Sequence, residues 1–89
     1  MNICIVGNDK TNGNSIRSIA SALSEKSNTV RCPPSDVADD NHILEAFERI
    51  DWADWVIAIP LEGITFDQLT AHSVAYAKHI KKPVFIYYT

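Results

Sequence analysis

The chain has 89 residues, of which 46% are apolar and 21% are charged. This composition is typical of a folded globular protein and too apolar for a disordered one. We expect one domain, residues 1–89, which buries only roughly 60–65% of its unfolded surface and so has a thin stability margin. The formal net charge of −3 disfavours nucleic-acid binding, because it provides no general attraction to phosphates.

Signals for a membrane, a metal or a cofactor are missing from the sequence. No apolar run approaches the roughly 20 residues that a membrane span needs, and the N-terminus lacks a signal-peptide pattern. We therefore expect a soluble, cytoplasmic protein. Cys4 and Cys32 lack metal-ligand spacing and are predicted to be reduced thiols. His72 and His79 share a helix face without a nearby carboxylate or thiol, so we expect no metal site and no cofactor.

Four apolar runs alternate with three amphipathic segments. The runs predict strands at 2–6, 29–32, 55–59 and 84–88. The first helix is predicted to start at Asn14, after a loop over residues 7–13. The second helix has a predicted apolar face of Ile43, Leu44, Phe47 and Ile50. The third is predicted to start at Thr65, which forms a capping box with Gln68.

The order β-α-β-α-β-α-β predicts a four-stranded parallel sheet with strand order 2-1-3-4 and three helices, a flavodoxin-like or Rossmann-like three-layer α/β fold. In such sheets ligands bind beyond the carboxyl ends of the strands, where the strand order reverses. This switch point lies between strands one and three. The candidate ligand-binding residues around it are Gly7, Asn8, Lys10, Pro33 and Pro60. A plain turn is an open alternative for the first loop, because asparagine and glycine are ordinary turn formers.

The third helix adds three polar candidates to the same site. Asp67, Thr70 and Ser73 follow one another at intervals of three residues and so form a ridge along the helix. Such a ridge can line a ligand site. A carboxylate at Asp67 is also favoured by the helix dipole with or without a ligand, so a purely structural role is open too.

Residues from Ile50 onward resemble the nucleoside 2-deoxyribosyltransferase-like superfamily. Its pattern is a strand shaped like a-D-x-v-v-a, a helix shaped like D-x-G-T-x-x-E-x-G-x-A and a K-P-V strand. The corresponding segments here are ADWVIA from Ala53, DQLTAHSVAYA from Asp67 and KPV from Lys82. The resemblance implies an α/β fold and a site for a nucleoside, with Asp67 matching the aspartate that helps to hold it.

Three departures from the pattern fall on that helix. Ser73 stands where the superfamily has the glutamate that attacks the anomeric carbon, and Leu69 and Ala75 replace two glycines. A carboxylate can attack an oxocarbenium-like centre and leave again, whereas a serine hydroxyl needs a base. Glu62, on the loop after the third strand, is the alternative carboxylate that could work with Asp67 as an acid and base pair.

These features favour a binding protein over an enzyme. The leading hypothesis is non-catalytic binding or sequestration of a nucleoside, nucleotide or ADP-ribose-like molecule by the site residues named above, including Glu62. The first alternative is an N-glycoside hydrolase or deoxyribosyltransferase that uses Glu62 and Asp67. The second is a protein-interaction module with contacts at Trp52, Trp55, Tyr87 or Tyr88. Small size and these aromatic residues also predict a homo-oligomer.

Overall fold

The computed structural model describes residues 1–32, 42–61 and 65–88, and the side chains of residues 9–11 and 42–43 lie outside this description. The strands are β1 (Asn2–Val6), β2 (Thr29–Arg31), β3 (Trp55–Ala58) and β4 (Val84–Ile86). The helices are α1 (Asp9–Glu25), α2 (His42–Trp52) and α3 (Gln68–His79). All strand pairs are parallel and their order is β2-β1-β3-β4. The predicted α/β class and strand order are confirmed.

Apolar side chains form a core on each face of the sheet. Cys4 and Val56 point to one face, where they pack with Ile50 of α2 and Val74 of α3. The next residue along β1, Ile5, points to the other face and packs with Ile16 of α1. Side chains alternate between the faces because successive residues of a strand point in opposite directions. The molecule therefore has three layers, with α1 on one face and α2 and α3 on the other.

The buried side of α2 differs from the prediction, and the side chain of Ile43 lies outside the description. Ala46 and Ile50 of the helix and Ala53 just after it are buried, whereas Leu44 is 67% exposed. Residues advance by about 100° around a helix, so Leu44 lies on nearly the opposite side from Ala46. The expectation that Leu44 belongs to the apolar face is wrong. Of the helices that the structure describes, none combines the length and apolarity that a membrane span needs.

Helices α2 and α3 are joined near the amino-terminal end of the sheet. The rings of Phe47 and Tyr76 stack with centroids 4.1 Å apart. The Tyr76 hydroxyl donates to Asp51 Oδ1 at 2.6 Å, and this hydrogen bond raises the pKa of Tyr76. Lys82 Nζ donates to the carbonyl oxygens of Asp51 and Ala53 at 3.1 and 2.6 Å. A cation at the end of a helix also interacts favourably with the helix dipole.

Helix α3 ends in a Schellman motif at Lys81. The Lys82 amide donates to the Ala77 carbonyl at 2.9 Å, and the Lys81 amide donates to the Lys78 carbonyl at 3.1 Å. Lys81 has a φ of 62°, in the left-handed region that favours glycine. A residue with a side chain pays roughly 1–2 kcal/mol for this conformation.

We predict that Lys81→Gly raises the free energy of unfolding by about 1 kcal/mol, because glycine adopts a positive φ without strain. The matched control is Lys78→Gly, three residues earlier within α3. It should lower the free energy of unfolding by about 1 kcal/mol, because glycine weakens a helix interior. Urea unfolding of both variants measures whether each substitution raises or lowers the free energy of unfolding. Equal effects of the two substitutions would contradict the prediction.

Candidate functional site at the carboxyl edge of the sheet

The candidate site lies where β1 and β3 end side by side. From here the chain passes into α1 on one face and toward α3 on the other, and we call this region the switch-point edge. The Ile59 amide donates to the Val6 carbonyl at 2.9 Å. A Cβ atom on Gly7 would lie 3.3 Å from Ile59 Cβ, closer than ordinary contact. The glycine therefore lets the ends of the two strands approach each other.

Most of the predicted loop after β1 is helical, so the expected helix start at Asn14 is wrong. Helix α1 begins at Asp9. The Asn12 amide donates to the Asn8 carbonyl at 2.8 Å, and Asn12 then breaks the helical path with φ −115° and ψ 19°. A tertiary contact accompanies this additional turn, because Asn12 Nδ2 donates to the Pro60 carbonyl at 2.9 Å.

The bond between Asn12 and Pro60 joins the two connections of the switch-point edge. Asn12 is only 7% exposed, and the Pro60 side chain is fully buried. A buried carbonyl that loses its donor costs roughly 1–3 kcal/mol. Asn12 is thus a structural link that sequence reasoning treated only as a polar residue of a loop. An asparagine in a glycine-containing segment carries no sequence signal for a bond 48 residues away.

The connection from β3 to α3 ends later than predicted. The Leu61 amide donates to the Thr65 carbonyl at 2.7 Å, and Phe66 then packs against the α2–α3 core. Helix α3 starts at Gln68 with Asp67 as its N-cap residue. The predicted start at Thr65 is therefore wrong, because Thr65 bonds to Leu61 and Phe66 packs against the core before the helix begins.

Asp67 presents an unpaired acceptor at the switch-point edge. Its side chain makes no capping hydrogen bond, and Oδ1 is buried without a hydrogen-bond partner among the described residues. The positive end of the helix dipole favours a negative charge here. A carboxylate oxygen accepts hydrogen bonds, so the group that completes this site must be a donor.

Thr70 and Ser73 belong to the buried face of α3. They are 2% and 1% exposed, and Val74 and Ala77 share their face. Ser73 Oγ donates to the Leu69 carbonyl of its own helix at 2.9 Å. The hydroxyl at this position is therefore already hydrogen-bonded. The predicted contacts of Thr70 and Ser73 with a ligand stay predictions.

Below the edge, β1 carries a thiol with low reactivity. Burial raises the pKa of Cys4 to about 11, although the neighbouring Arg49 guanidinium opposes part of this shift. Cys4 is therefore protonated at neutral pH and is a poor nucleophile. Within the ranges that the structure describes, no group of three or more His, Cys, Asp or Glu residues could hold a metal ion.

The structure brings together part of the predicted site. Asn8 and Pro60 are both hydrogen-bonded to Asn12, Gly7 lies against Ile59, and Asp67 begins α3 at the same edge. Pro33 and Glu62 lie outside the described residues, as does the side chain of Lys10. The proposed pair of Glu62 and Asp67 is therefore still a prediction.

Two solved structures share this architecture over 99% of the chain. The CMP N-glycosidase BcmB from Clostridium botulinum superposes with a TM-score of 0.78 at 17% sequence identity, and the match covers 71% of that protein. A 2-deoxyribosyltransferase from Leishmania mexicana superposes with a TM-score of 0.76 at 19% identity. The chain has the nucleoside 2-deoxyribosyltransferase-like fold.

The match covers only 64% of the Leishmania protein, so this chain spans less than two thirds of it. No protein-family model matches the sequence, and no curated protein matches it either. The relationship is thus visible in the backbone rather than in overall sequence similarity. The sequence segments after Ile50 that resemble the superfamily pattern form β3, α3 and β4 of this fold.

We predict that Asn12→Ala lowers the free energy of unfolding by about 1–3 kcal/mol, because it leaves the buried Pro60 carbonyl without a donor. Asn12→Asp should cost more at neutral pH, since a carboxylate would face that carbonyl. Burial should raise the pKa of the introduced carboxyl group. The cost should therefore shrink as the pH falls through this raised pKa and be smallest at about pH 4 and below, where the protonated acid can donate.

Urea unfolding at pH 7 and near pH 4 measures both effects. The control is Asn14→Ala, because Asn14 is exposed and bonds only to Arg17 among the described contacts. Equal losses for Asn12→Ala and Asn14→Ala would contradict a structural link through Asn12.

Proposed function

We propose that the switch-point edge binds a nucleoside, nucleotide or ADP-ribose-like molecule, and that the chain does not cleave the N-glycosidic bond. The observation that carries the proposal is the buried, unpaired Oδ1 of Asp67. Sugar hydroxyls and base amino groups are the donors that such a molecule offers to a carboxylate. Asp67 corresponds by register to the aspartate that helps to hold the nucleoside in the resembled superfamily.

The fold supports a nucleoside-related ligand in a coarse sense. The two structural neighbours are named as a CMP N-glycosidase and a 2-deoxyribosyltransferase. The ligand class is transferred from these names, because fold alone does not determine function.

The surroundings of Ser73 support binding without catalysis. Ser73 corresponds to the nucleophilic glutamate of the resembled superfamily, yet it is 1% exposed and bonds to the Leu69 carbonyl. A serine needs a base to become a nucleophile, and none is hydrogen-bonded to Ser73 in the described structure. Its hydroxyl contributes to the helix and to the packing of α3 on the sheet.

We predict that Asp67→Asn weakens ligand binding by roughly 10- to 100-fold, because a hydrogen bond to a charged group contributes about 1.5–3 kcal/mol. The variant should change the melting temperature little, since the Asp67 side chain makes no capping hydrogen bond that the substitution could remove. Isothermal titration with CMP, deoxycytidine and ADP-ribose measures affinity.

The matched control is Glu25→Gln, which makes the same chemical change at an exposed residue ending α1. It should bind as the unaltered chain does. The proposal is wrong if none of the three probes binds, or if Asp67→Asn and Glu25→Gln bind equally well.

We predict that Ser73→Ala keeps ligand binding and lowers the free energy of unfolding by no more than about 1 kcal/mol. Ser73→Glu should lower it by about 3 kcal/mol or more, because Ser73 is 1% exposed and a larger, charged side chain would have to be buried there. The unaltered chain should release no base from CMP or deoxycytidine. Urea unfolding measures the free energies of the two variants, and chromatography of the incubated nucleosides measures base release. Base release that Glu62→Gln abolishes would instead establish the enzyme.

A further inference from the structure

Strand β4 is an edge of the sheet that lacks a charged residue. Its segment, residues 84–88, reads VFIYY and contains no charged residue. Natural proteins protect edge strands with charges, prolines, bulges or very short strands. The opposite edge, β2, has the same length of three residues as β4 but carries Arg31. The two edges of this sheet therefore differ in how readily another strand can pair with them.

Alternate residues of β4 direct their backbone amide and carbonyl groups away from β3. The Tyr87 amide donates to the Ala58 carbonyl, and the Val56 amide donates to the Pro83 carbonyl, so odd-numbered residues face β3. The amide and carbonyl groups of Val84, Ile86 and Tyr88 consequently point away from the sheet. No described strand lies on that side of β4. These groups form a free row of donors and acceptors.

Aromatic side chains adjoin this row on the α1 face of the sheet. Trp55 and Phe85 contact each other with ring centroids 4.9 Å apart. Trp55, Phe85 and Tyr87 are 38%, 47% and 47% exposed, and Tyr88 is 59% exposed. Taking about 200 Å² for each ring side chain, the first three expose roughly 260 Å² on this face, and Tyr88 exposes roughly 120 Å² on the opposite face. Helix α1 packs over β1 and β2 and leaves these residues uncovered.

We propose that a second copy of this chain pairs its β4 with this β4, antiparallel about a two-fold axis at Ile86. In this register, Ile86 faces Ile86 of the second copy, and Val84 faces Tyr88. Residues directly opposite one another in hydrogen-bonded pairs exchange two bonds, so the three outward pairs make about six. Every outward amide and carbonyl group of residues 84, 86 and 88 is then paired.

The same register brings aromatic residues together across the axis. Phe85 stands opposite Tyr87 of the second copy, and the symmetry repeats this pair once. Their Cα atoms are then about 4.5 Å apart in a non-hydrogen-bonded pair, which is a favourable position for aromatic contacts. The exposed aromatic area of the two faces together is about half of the roughly 800 Å² that each partner contributes to a standard interface. The strand edge itself supplies further area.

A second copy fits this edge because the surface is complementary to itself. A two-fold interface needs one patch that matches its own image, and an antiparallel strand pair has this property. The absence of charge from residues 84–88 means that two copies meet without like-charge repulsion. The two sheets become one sheet of eight strands. The switch-point edges then lie at opposite ends of it, so each copy keeps its own site.

Light scattering and small-angle X-ray scattering of the 89-residue chain test the pairing. We expect twice the 9.9 kDa chain mass. With strands about 4.8 Å apart, joining the sheets edge to edge raises the radius of gyration from 11.7 Å to about 15 Å. Phe85→Lys places a charge on the strand, and Tyr88→Pro removes an outward amide. Both should yield monomers.

Leu44→Lys is the matched control, because it also replaces an exposed apolar side chain with a charge but lies on α2. It should remain dimeric. Circular dichroism checks that each variant folds, and Tyr88→Pro carries the test if Phe85→Lys does not fold. Hydrogen exchange followed by NMR should show the Val84, Ile86 and Tyr88 amides becoming protected as the protein concentration rises.

A monomer at millimolar concentration overturns the proposal and leaves the edge for a strand of another protein. A dimer that survives both Phe85→Lys and Tyr88→Pro also overturns it. Ligand binding is measured separately for Tyr88→Pro. If that monomer binds CMP as the dimer does, the interface and the ligand site are independent. A failure of the pairing proposal can then be told apart from a failure of the binding proposal.

Discussion

The arrangement of this molecule depends on the burial of β1 from both sides. Ile3, Cys4, Ile5 and Val6 are all at most 4% exposed, although their side chains point alternately to opposite faces. A parallel strand with this pattern needs helices above and below the sheet. The chain must therefore leave β1 toward one face and β3 toward the other, and the point of divergence becomes the switch-point edge. The location of the candidate site follows from the burial of four consecutive apolar residues.

Polar groups near that edge fall into two classes. The amide of Asn12 and the hydroxyl of Ser73 are satisfied inside the protein, by the carbonyl groups of Pro60 and Leu69. Oδ1 of Asp67 is buried and has no partner among the described residues. An unpaired buried polar atom costs about 1–3 kcal/mol, which is a large fraction of the stability of a small domain. A ligand with a suitable donor would remove this cost on binding, so the same atom links stability to recognition.

The sequence predicted the strand order correctly because four apolar runs and their spacing contain that information. It placed the starts of α1 and α3 wrongly, because Asn12 bonds to Pro60 and Leu61 bonds to Thr65, contacts that no local periodicity records. Leu44 was misassigned because hydrophobicity alone does not identify the buried side of a short helix. Asp67 was recognised as a site candidate from its register, but only the structure identifies its unpaired atom.

The aromatic residues of β4 are not explained by the folding of one copy. Val84 and Ile86 pack against the core beneath α2 and α3, whereas Phe85 and Tyr87 are each 47% exposed on the other face. A single copy would lose little core packing if these two positions were polar, and an edge strand would then be protected. Their aromatic character instead favours a surface that is covered in the working protein. For a domain of 89 residues, the proposed interface would add stability to that of the two cores.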